Sequence, residues 1–360
     1  MAASSEHSHR SASPRARRSA VAMFFTVGLL ACGACGGPGG AGGTVPSPHS
    51  SQTGSSLRQG QAVAREVLAA IDAYGLHAKE PGWTGQKQKF TDWVDEADSA
   101  EGILRALIVA LKAGGGLHSG LFRQAELTAA PGARPTVTVE GRLAVVSVPA
   151  DKGFTEKRWR DYATALDEAI QQVRGRVCGW VVDLRPSTGG SVVSGFVGLS
   201  SLLPDGPVIA FVDRDGVAGS AYSLAGSTLT VAPSAIVPDI ELPNPPFPRV
   251  PPSPKITQPV VVLQSISTGS AGEATVVAFK GRPQTRFVGQ PTFGASSDNT
   301  ALVGPFGSIA NLTTGVFQDR AGVTYPEGPI PPQTVTAPGE ELHAAKAWLQ
   351  SQRCGPAGRG

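Results

Sequence analysis

The pattern of apolar positions divides the chain into a helical part followed by a mixed part. Apolar residues recur at helical spacing over three segments, at about residues 58–80, 85–97 and 98–114. This spacing predicts three helices joined by short links, as in a small bundle. Asp98 and Glu101 form a capping-box-like pair at the start of the third helix, and three glycines end it.

Strand patterns then alternate with helical patterns. "PTVTVEGRLAVVSVP" predicts two strands around a turn at Glu140 and Gly141, and an amphipathic helix follows with Thr155 as its N-cap. "VCGWVVDLRPSTGG" predicts a buried strand with a glycine-rich turn, "VVSGFVGLSSLL" a helix, and "GPVIAFVD" another strand. This order of elements predicts a parallel sheet with crossover helices, and hence an α/β fold.

A proline-rich stretch interrupts this pattern at residues 236–258, and we predict that it is a surface excursion. The sheet pattern resumes with "PVVVLQ", which leads through a small-residue turn into the helical "GEATVVAFKG". The runs "TRFVG", "SIANLTTGVF" and "GVTYP" predict further strands, and "GEELHAAKAWLQSQ" predicts a closing helix.

The first residues have the pattern of an export signal. Arg17 and Arg18 precede "SAVAMFFTVGLLAC", an apolar segment too short for a comfortable membrane span, which predicts a signal peptide over residues 1–31. "LLAC" resembles a bacterial lipobox, which implies cleavage before Cys32, lipidation of its thiol and anchoring at the outer face of the cell membrane. Cleavage at another site, which would release a soluble protein, is the alternative. Residues 32–57 are rich in Gly, Ser and Pro, which predicts a flexible tether.

The distribution of charge argues against nucleic-acid binding. The chain has 360 residues, 41% of them hydrophobic, which is enough for a sizeable core. Its formal net charge is +3, and four arginines and one glutamate in residues 1–31 account for all of it. The remainder is neutral and has no basic stripe, unlike a typical nucleic-acid-binding domain.

The four cysteines show no metal-ligand spacing, and we expect neither a metal nor another cofactor. Cys35 lies in the predicted tether. Cys178 lies in an apolar strand, where we predict a core residue, and Cys354 is near the end of the chain. The sequence leaves open whether these last two form a disulfide, as an exported protein would allow.

Three clusters of glycine and polar residues stand at the ends of predicted elements: "LHSG", "DLRPSTGG" and "STGSAGEA". The last two follow strands of the same predicted sheet, and ligands of α/β proteins gather outside the carboxyl ends of such strands. We therefore expect these loops to face one crevice. A strand, a tight turn and a helix can also present a nucleophile beside unpaired N–H groups, which suit an oxyanion. Plain turn chemistry is the alternative for so many small residues.

In this order, the motifs resemble those of the tail-specific, or C-terminal processing, serine peptidases. Relatives of that family include the tricorn protease core and the interphotoreceptor retinoid-binding protein. The resemblance covers roughly residues 58–340, and its motifs are His118-Ser119, Asp183-Leu184-Arg185, Gly189-Gly190, Ser270-Ala271-Gly272-Glu273, "VGQPTFGASSDN" and "YPEGPIPPQTV". It implies an N-terminal helical bundle at residues 58–121 and a crotonase/ClpP-like β-α-β spiral core at residues 122–352.

The resemblance also implies roles for the residues around the small-residue turn. Ser270 corresponds to the nucleophile. The N–H of Ala271, together with that of Gly189 or Gly190, would form the oxyanion hole. Asp183 and Arg185, at the end of a buried strand, are expected to fix the loop by hydrogen bonds rather than to do chemistry.

The general base is where this chain departs from the tail-specific branch. That branch uses a lysine in an "FGKG" turn, and the matching turn here is "FGAS", with Ala295. The resemblance therefore points to the tricorn-like branch, with His118 as the base. A polar third group would orient the base. Glu327 loosely matches a tricorn-type acidic position and Ser119 is the other candidate, while Leu117 stands where the tricorn core has a serine.

These observations predict an exported serine peptidase that acts on peptides or unfolded protein. No PDZ-like domain fits between Phe122 and Thr136, so we do not expect the C-terminal specificity of the tail-specific branch. A binding protein without catalytic activity on the same fold is the alternative. A crotonase-like acyl-CoA enzyme is a third hypothesis, against which the export signal argues. The sequence does not determine the substrate or the oligomeric state.

Overall fold

The computed structural model describes residues 54–123, 133–152, 155–232 and 247–354. The predictions for the signal peptide, most of the tether and the lipidated Cys32 lie outside these residues. So does a large part of the proline-rich stretch, residues 233–246.

A mostly parallel sheet forms the centre of the fold. Its strands are β2 Thr136–Glu140, β3 Leu143–Ser147, β4 Gly179–Asp183, β8 Val260–Gln264, β9 Thr285–Gly289 and β13 Thr334–Val335. They lie in the order β13-β9-β8-β4-β3-β2, and all pairs are parallel except the β2–β3 hairpin. Four helices accompany this sheet: α5 Glu156–Val173, α6 Val192–Gly198, α7 Ala271–Ala278 and α8 Glu341–Ser351.

Both faces of this sheet are buried, which explains why its central strands are continuous apolar runs. Val182 and Val262 point into the larger core, with α5, α6 and α7, whereas Val181 and Val261 pack toward α8. Helix α5 begins as predicted, because the Thr155 side chain accepts a hydrogen bond from the Arg158 N–H. The predicted α/β class is confirmed.

A second, antiparallel sheet packs beside the first. Its strands are β1 Gly120–Arg123, β5 Gly206–Val212, β6 Ala218–Ala225, β7 Thr228–Ala232, β10 Ser297–Val303, β11 Ser308–Gln318 and β12 Thr324–Tyr325. The path is β1-β11-β5-β6-β7, and β10 and β12 also pair with β11.

The predicted place of "GPVIAFVD" in the parallel sheet was wrong. This segment is β5, which pairs antiparallel with β6 and β11. The chain leaves β5 through a short turn and returns as β6 and then β7, and short turns of this kind join antiparallel strands. The sequence analysis did not identify β6 and β7 as strands.

The N-terminal helices pack on the second sheet. They are α1 Gly54–Tyr74, α2 Pro81–Thr84, α3 Lys87–Asp95 and α4 Ala100–Gly115. Trp83 stacks on Phe90 inside their core, which also includes Leu312 of β11. The N-cap of α4 is Ser99, whose side chain accepts a hydrogen bond from the Gly102 N–H, so the predicted capping pair at Asp98 was wrong. Among the described helices, none is both long and apolar enough to cross a membrane.

A disulfide joins Cys178, just before β4, to Cys354, just after α8. It fastens the end of α8 to the parallel sheet, where Leu349 and Ala345 of α8 are fully buried. This settles the question that the sequence left open. Cys178 is half-buried rather than a core residue, because it lies at the edge where the sheet begins.

Candidate active site

Ser270 occupies a strained turn between β8 and α7. Its backbone has φ 51° and ψ −112°, in a region that non-glycine residues rarely adopt. Such a conformation costs about 1–3 kcal/mol and persists only where its surroundings enforce it. Here the Ser270 N–H donates a hydrogen bond to Glu273 Oε2 at 2.8 Å, which holds the serine at the N-terminus of α7.

Glu273 fastens this turn to the loop that follows β9. Its other oxygen, Oε1, accepts hydrogen bonds from the Thr292 hydroxyl at 2.5 Å and from the Gly294 N–H at 2.8 Å. Burial of the side chain raises the pKa of Glu273 to about 7, against the effect of these donors, which favour the carboxylate. Glu273 therefore works as a buried clamp with both oxygens occupied.

The loop after β4 contacts the Ser270 turn directly. The Thr268 hydroxyl donates to the Leu184 carbonyl at 2.9 Å, and the Gly269 N–H donates to the Ser187 carbonyl at 3.0 Å. Gly272 is needed for this contact, because a Cβ there would lie 2.4 Å from the Ser187 carbonyl oxygen. The structure thus brings two of the three predicted clusters together.

Asp183 and Arg185 support this loop from the side. The Arg185 guanidinium donates to both carboxylate oxygens of Asp183, at 2.8 and 2.7 Å, and to Glu341 of α8 at 3.0 Å. These contacts join the loop to the closing helix. They confirm the expectation that the two residues fix the loop.

The glycine pair carries the N–H groups predicted for an oxyanion hole. Gly189 and Gly190 have φ of 128° and 110°, and a Cβ on Gly190 would lie 2.0 Å from the Asp151 carbonyl oxygen. Within the part of the chain that the structure describes, no group accepts a hydrogen bond from the N–H of Gly189 or of Ala271. Both can therefore donate to a ligand oxygen.

His118 lies in the turn between α4 and β1 and is 1% exposed. Its Nδ1 is 2.9 Å from the hydroxyl oxygen of Ser297. The Asn299 side-chain nitrogen is 2.9 Å from Nδ1 and 3.2 Å from Nε2. Burial lowers the pKa of His118 to about 4, so the imidazole is neutral near pH 7.

Glu327 contacts the backbone of His118 rather than its ring. Oε1 accepts the His118 N–H at 3.2 Å, and Oε2 lies 3.1 Å from Nε2 of His77. Nδ1 of His77 lies 2.7 Å from Glu80. The hydrogen bonds to Glu327 and Glu80 raise the pKa of His77 to about 9. Gly116 makes room for this cluster, since a Cβ there would lie 2.3 Å from Glu327 Oε2.

Ser119 also faces away from the ring. Its hydroxyl accepts a hydrogen bond from the Thr313 N–H at 2.9 Å and donates to the Thr313 hydroxyl at 3.1 Å. Neither Glu327 nor Ser119, the two residues predicted to orient His118, therefore contacts its imidazole. Ser297 and Asn299 do, and sequence reasoning missed them.

One segment, residues 292–297, which runs from the loop after β9 to the first residue of β10, connects the two halves of the site. It bonds to Glu273 near Ser270 at one end and reaches the His118 ring through Ser297 at the other. In the described residues, the Ser270 hydroxyl and the His118 ring form no hydrogen bond with each other. Ser270 is 5% exposed, so both side chains are almost closed off from solvent.

No lysine among the residues that the structure describes forms a hydrogen bond with Ser270. Ala295, at the position that the resemblance assigns to the family's lysine, is buried. Nζ of Lys280 lies 3.8 Å from the ring centroid of Phe287, on β9. No group of His, Cys, Asp and Glu residues within the described ranges could hold a metal ion.

Comparison with known proteins agrees with this architecture. The nisin-resistance protein of Lactococcus lactis subsp. lactis is 27% identical over 296 residues, which cover 81% of this chain and 87% of that protein. A lipoprotein from Streptococcus agalactiae has a similar structure, with a TM-score of 0.66 and 22% identity over 82% of this chain and 97% of that one. The photosystem II D1 C-terminal processing protease gives a TM-score of 0.53 and 16% identity, over 78% and 93% of the two chains.

At these identities, the structural matches show a shared fold. The sequence match is more specific, because residues 143–336 fit Peptidase family S41, and this range includes β3, both loops around Ser270 and β13. The tricorn-like branch stays a prediction. The family-level resemblance is confirmed, and the chain belongs to Peptidase family S41.

Proposed function

We propose that this protein is an exported serine peptidase, with Ser270 as its nucleophile and His118 as its general base. The observation that carries the proposal is the strained turn that presents Ser270 at the N-terminus of α7, beside two N–H groups free to donate. In the proposed reaction the Ser270 oxygen attacks a peptide carbonyl, and neutral His118 takes the hydroxyl proton. The same imidazole then gives that proton to the leaving amine, and water hydrolyses the acyl-enzyme.

Two backbone donors would stabilise the oxyanion of the tetrahedral intermediate. The N–H of Ala271 lies at the positive end of α7, and the N–H of Gly189 comes from the loop that bonds to the Ser270 turn. Gly190 is the alternative second donor, and its close approach to Asp151 supports the conformation of the pair. Donors from two different loops would depend on the contact between Gly272 and Ser187.

The base must approach the nucleophile when substrate binds. Catalytic hydrogen bonds are often long or absent in free enzymes and form in the substrate complex. The segment 292–297 bonds to Glu273, which accepts the Ser270 N–H, and to the His118 ring through Ser297, so a small movement of this segment would change the separation of Ser270 and His118.

Three observations support export and a lipid anchor at Cys32. A disulfide persists in oxidising compartments, and this chain forms one between Cys178 and Cys354. The first residues have the pattern of a lipoprotein signal. A protein of similar fold is described as a lipoprotein. Radiolabelled palmitate should therefore be incorporated into the wild-type protein in bacterial cells but not into Cys32→Ser; labelling of neither would instead support a secreted form.

The proposed substrates are peptides or unfolded protein. The name of the Lactococcus relative makes nisin one peptide to include among the substrates tested. A peptide library and an unfolded protein would cover the wider class.

A fluorophosphonate probe tests the nucleophile directly, since it reacts with activated serines. We expect mass spectrometry to find the label on Ser270, and Ser270→Ala to remove it. Ser267→Ala is the matched control, because Ser267 is an exposed serine in the same turn and its loss should leave labelling unchanged. Wild-type protein without label at Ser270 would contradict the proposal.

A peptide- or ligand-binding protein without turnover is the second candidate. The missing hydrogen bond between Ser270 and His118 favours it, because an inactive site needs no such contact. It predicts saturable peptide binding without hydrolysis. Hydrolysis of any library peptide that disappears in Ser270→Ala would exclude it.

A further inference from the structure

The His118 ring is held by two side chains of one strand. Ser297 and Asn299 lie at the start of β10, where a β-bulge in the pairing with β11 falls between Asp298 and Asn299, and both side chains reach the His118 ring. Both are buried, at 2% and 5% exposure. The ring therefore meets a polar surface that belongs to the second sheet and not to the loop that carries Glu327.

The two contacts differ in geometry. The ring nitrogens of His118 are bonded to one shared carbon, and a group in the ring plane could not lie close to both without overlapping that carbon. The Asn299 nitrogen is 2.9 and 3.2 Å from them, so it lies over the ring face. Ser297 is close to Nδ1 alone and can bond in the ring plane.

A chain of hydroxyl groups determines which end of the Asn299 amide faces the ring. The Ser119 hydroxyl donates to the Thr313 hydroxyl at 3.1 Å, and that hydroxyl donates to Asn299 Oδ1 at 2.7 Å. With its oxygen occupied in this way, the amide turns its nitrogen to His118. Ser119 thus acts on the ring indirectly, through Thr313 and Asn299.

We propose that Ser297 and Asn299 are the positioning residues of the base, in the role expected of Glu327 or Ser119. The inference rests on the proposed function of His118. Ser297 accepts a hydrogen bond from Nδ1–H, which keeps the lone pair on Nε2 available for the proton of Ser270. Asn299 packs on the ring face and limits its rotation.

Because Ser297 is neutral, it stabilises the protonated form of His118 less than a carboxylate would, which affects how activity depends on pH. The charged groups near the imidazole are Glu327, which accepts the backbone N–H of His118, and Lys112 of α4, and His77 lies on the far side of Glu327. No carboxylate among the described residues contacts the ring nitrogens. The imidazolium is therefore less stabilised than in a Ser-His-Asp triad, where a carboxylate accepts the Nδ1 proton.

The tautomer can be measured without any turnover. We expect ¹⁵N chemical shifts of protein labelled at its histidines to show the Nδ1–H tautomer for His118 in the wild type. The signal is assigned by its loss in His118→Gln. Ser297→Ala should convert it to a mixture of tautomers, whereas Ser296→Ala should not. Ser296 is the matched control because its hydroxyl bonds to the carbonyls of Pro326 and Gly328 and not to the ring. An Nε2–H tautomer in the wild type, or no change in Ser297→Ala, would overturn the proposal.

Kinetics provide the second readout. Ser297→Ala should lower kcat about tenfold with little change in KM, as loss of one hydrogen bond predicts, and Ser297→Thr should recover most of it. Ser297→Asp should move the acid limb of kcat/KM upward by about one to two pH units, because a carboxylate at Nδ1 favours the imidazolium. An unshifted acid limb in an active Ser297→Asp would refute the contact.

The two proposals fail in different ways. If the wild type is not labelled by the fluorophosphonate, Ser270 is not the nucleophile, and the ¹⁵N shifts still decide whether Ser297 holds the His118 tautomer. If Ser270 is labelled and Ser297→Ala keeps the wild-type kcat, the peptidase stands and the positioning role falls.

Discussion

Replacing His77 by glutamine should remove a charge that stabilises the fold at neutral pH but not at high pH. His77 bonds to Glu327 through Nε2 and to Glu80 through Nδ1. These contacts raise its pKa to about 9 from an ordinary 6.5. Between these two values the folded protein holds a proton that the unfolded chain has lost. The stabilisation is therefore complete below pH 6.5 and disappears as the pH rises through 9.

The size of the effect follows from the same two values. A pKa of about 9 against 6.5 corresponds to about 3 kcal/mol of unfolding free energy, at about 1.4 kcal/mol for each pH unit. The His77 side chain is 27% exposed, so solvent screening reduces this to roughly 2 kcal/mol.

Urea unfolding at pH 6, 8 and 10 measures this difference. The wild type should lose roughly 2 kcal/mol more than His77→Gln between pH 6 and pH 10. His343→Gln is the control, because His343 is exposed on α8, and it should follow the wild type. Parallel loss of stability in the wild type and in His77→Gln would refute the ion pairs with Glu327 and Glu80.

The remaining predictions concern the clamp, the base and the disulfide. Glu273→Gln should lower the free energy of unfolding in urea by about 1–3 kcal/mol, because an amide cannot accept hydrogen bonds on both sides as this carboxylate does. Unchanged stability would show that the clamp is dispensable. The acid limb of kcat/KM should lie near pH 4, since His118 must be neutral to accept a proton and burial lowers its pKa to about 4; a limb near 6.5 would show that solvent reaches the ring in the working enzyme. Replacing Cys178 and Cys354 by serine should destabilise the protein by up to about 5 kcal/mol in guanidinium, as the entropy of a loop with a sequence separation of 176 predicts. Equal unfolding midpoints of the wild type with and without a reductant would contradict a stabilising role for the disulfide.

The sequence predicted those parts of the fold that depend on local pattern. Strands β4 and β8 are valine-rich runs bounded by turn residues, and a buried parallel strand needs this composition. The loops after β4 and β8 meet because neighbouring parallel strands end at the same edge of the sheet. The hydrogen bond from the Thr268 hydroxyl to the Leu184 carbonyl is one contact between these loops. The match to Peptidase family S41 confirmed what the motifs in these loops had suggested.

Pairing between distant segments could not be predicted in the same way. Strand β11 pairs with its sequence neighbours β10 and β12 and also with β1 and β5, which come from distant parts of the chain. Nothing within "GPVIAFVD" distinguishes a strand of the parallel sheet from a partner of β11. The β6 segment includes several small and polar residues, and its strand conformation depends on hydrogen bonds to β5 and β7.

The surroundings of His118 were hidden for a related reason. Strand β10 begins "SDN", which reads as a turn because these side chains compete for backbone hydrogen bonds. Ser297 and Asn299 take extended conformations there because β11 supplies the pairing partner. Because Ser297, Asp298 and Asn299 are all polar, the sequence has no alternation that would assign Ser297 and Asn299 to one face. A β-bulge between Asp298 and Asn299 interrupts the regular strand pattern as well.

The disulfide makes a closed covalent ring of the chain from Cys178 to Cys354, and this ring includes Ser270. A single cut in any loop of the ring would leave one molecule, since the two new ends would still be joined through the bridge. The β6–β7 turn at Gly226 is one such loop. His118 lies outside the ring, and noncovalent contacts, among them the pairing of β1 with β11, hold its part of the chain to the ring. A cut between His118 and Cys178 would therefore leave the two candidate residues in separate polypeptides joined by noncovalent contacts alone. A peptidase in an environment that contains other peptidases would thus tolerate nicks near its nucleophile better than nicks on the N-terminal side of the bridge.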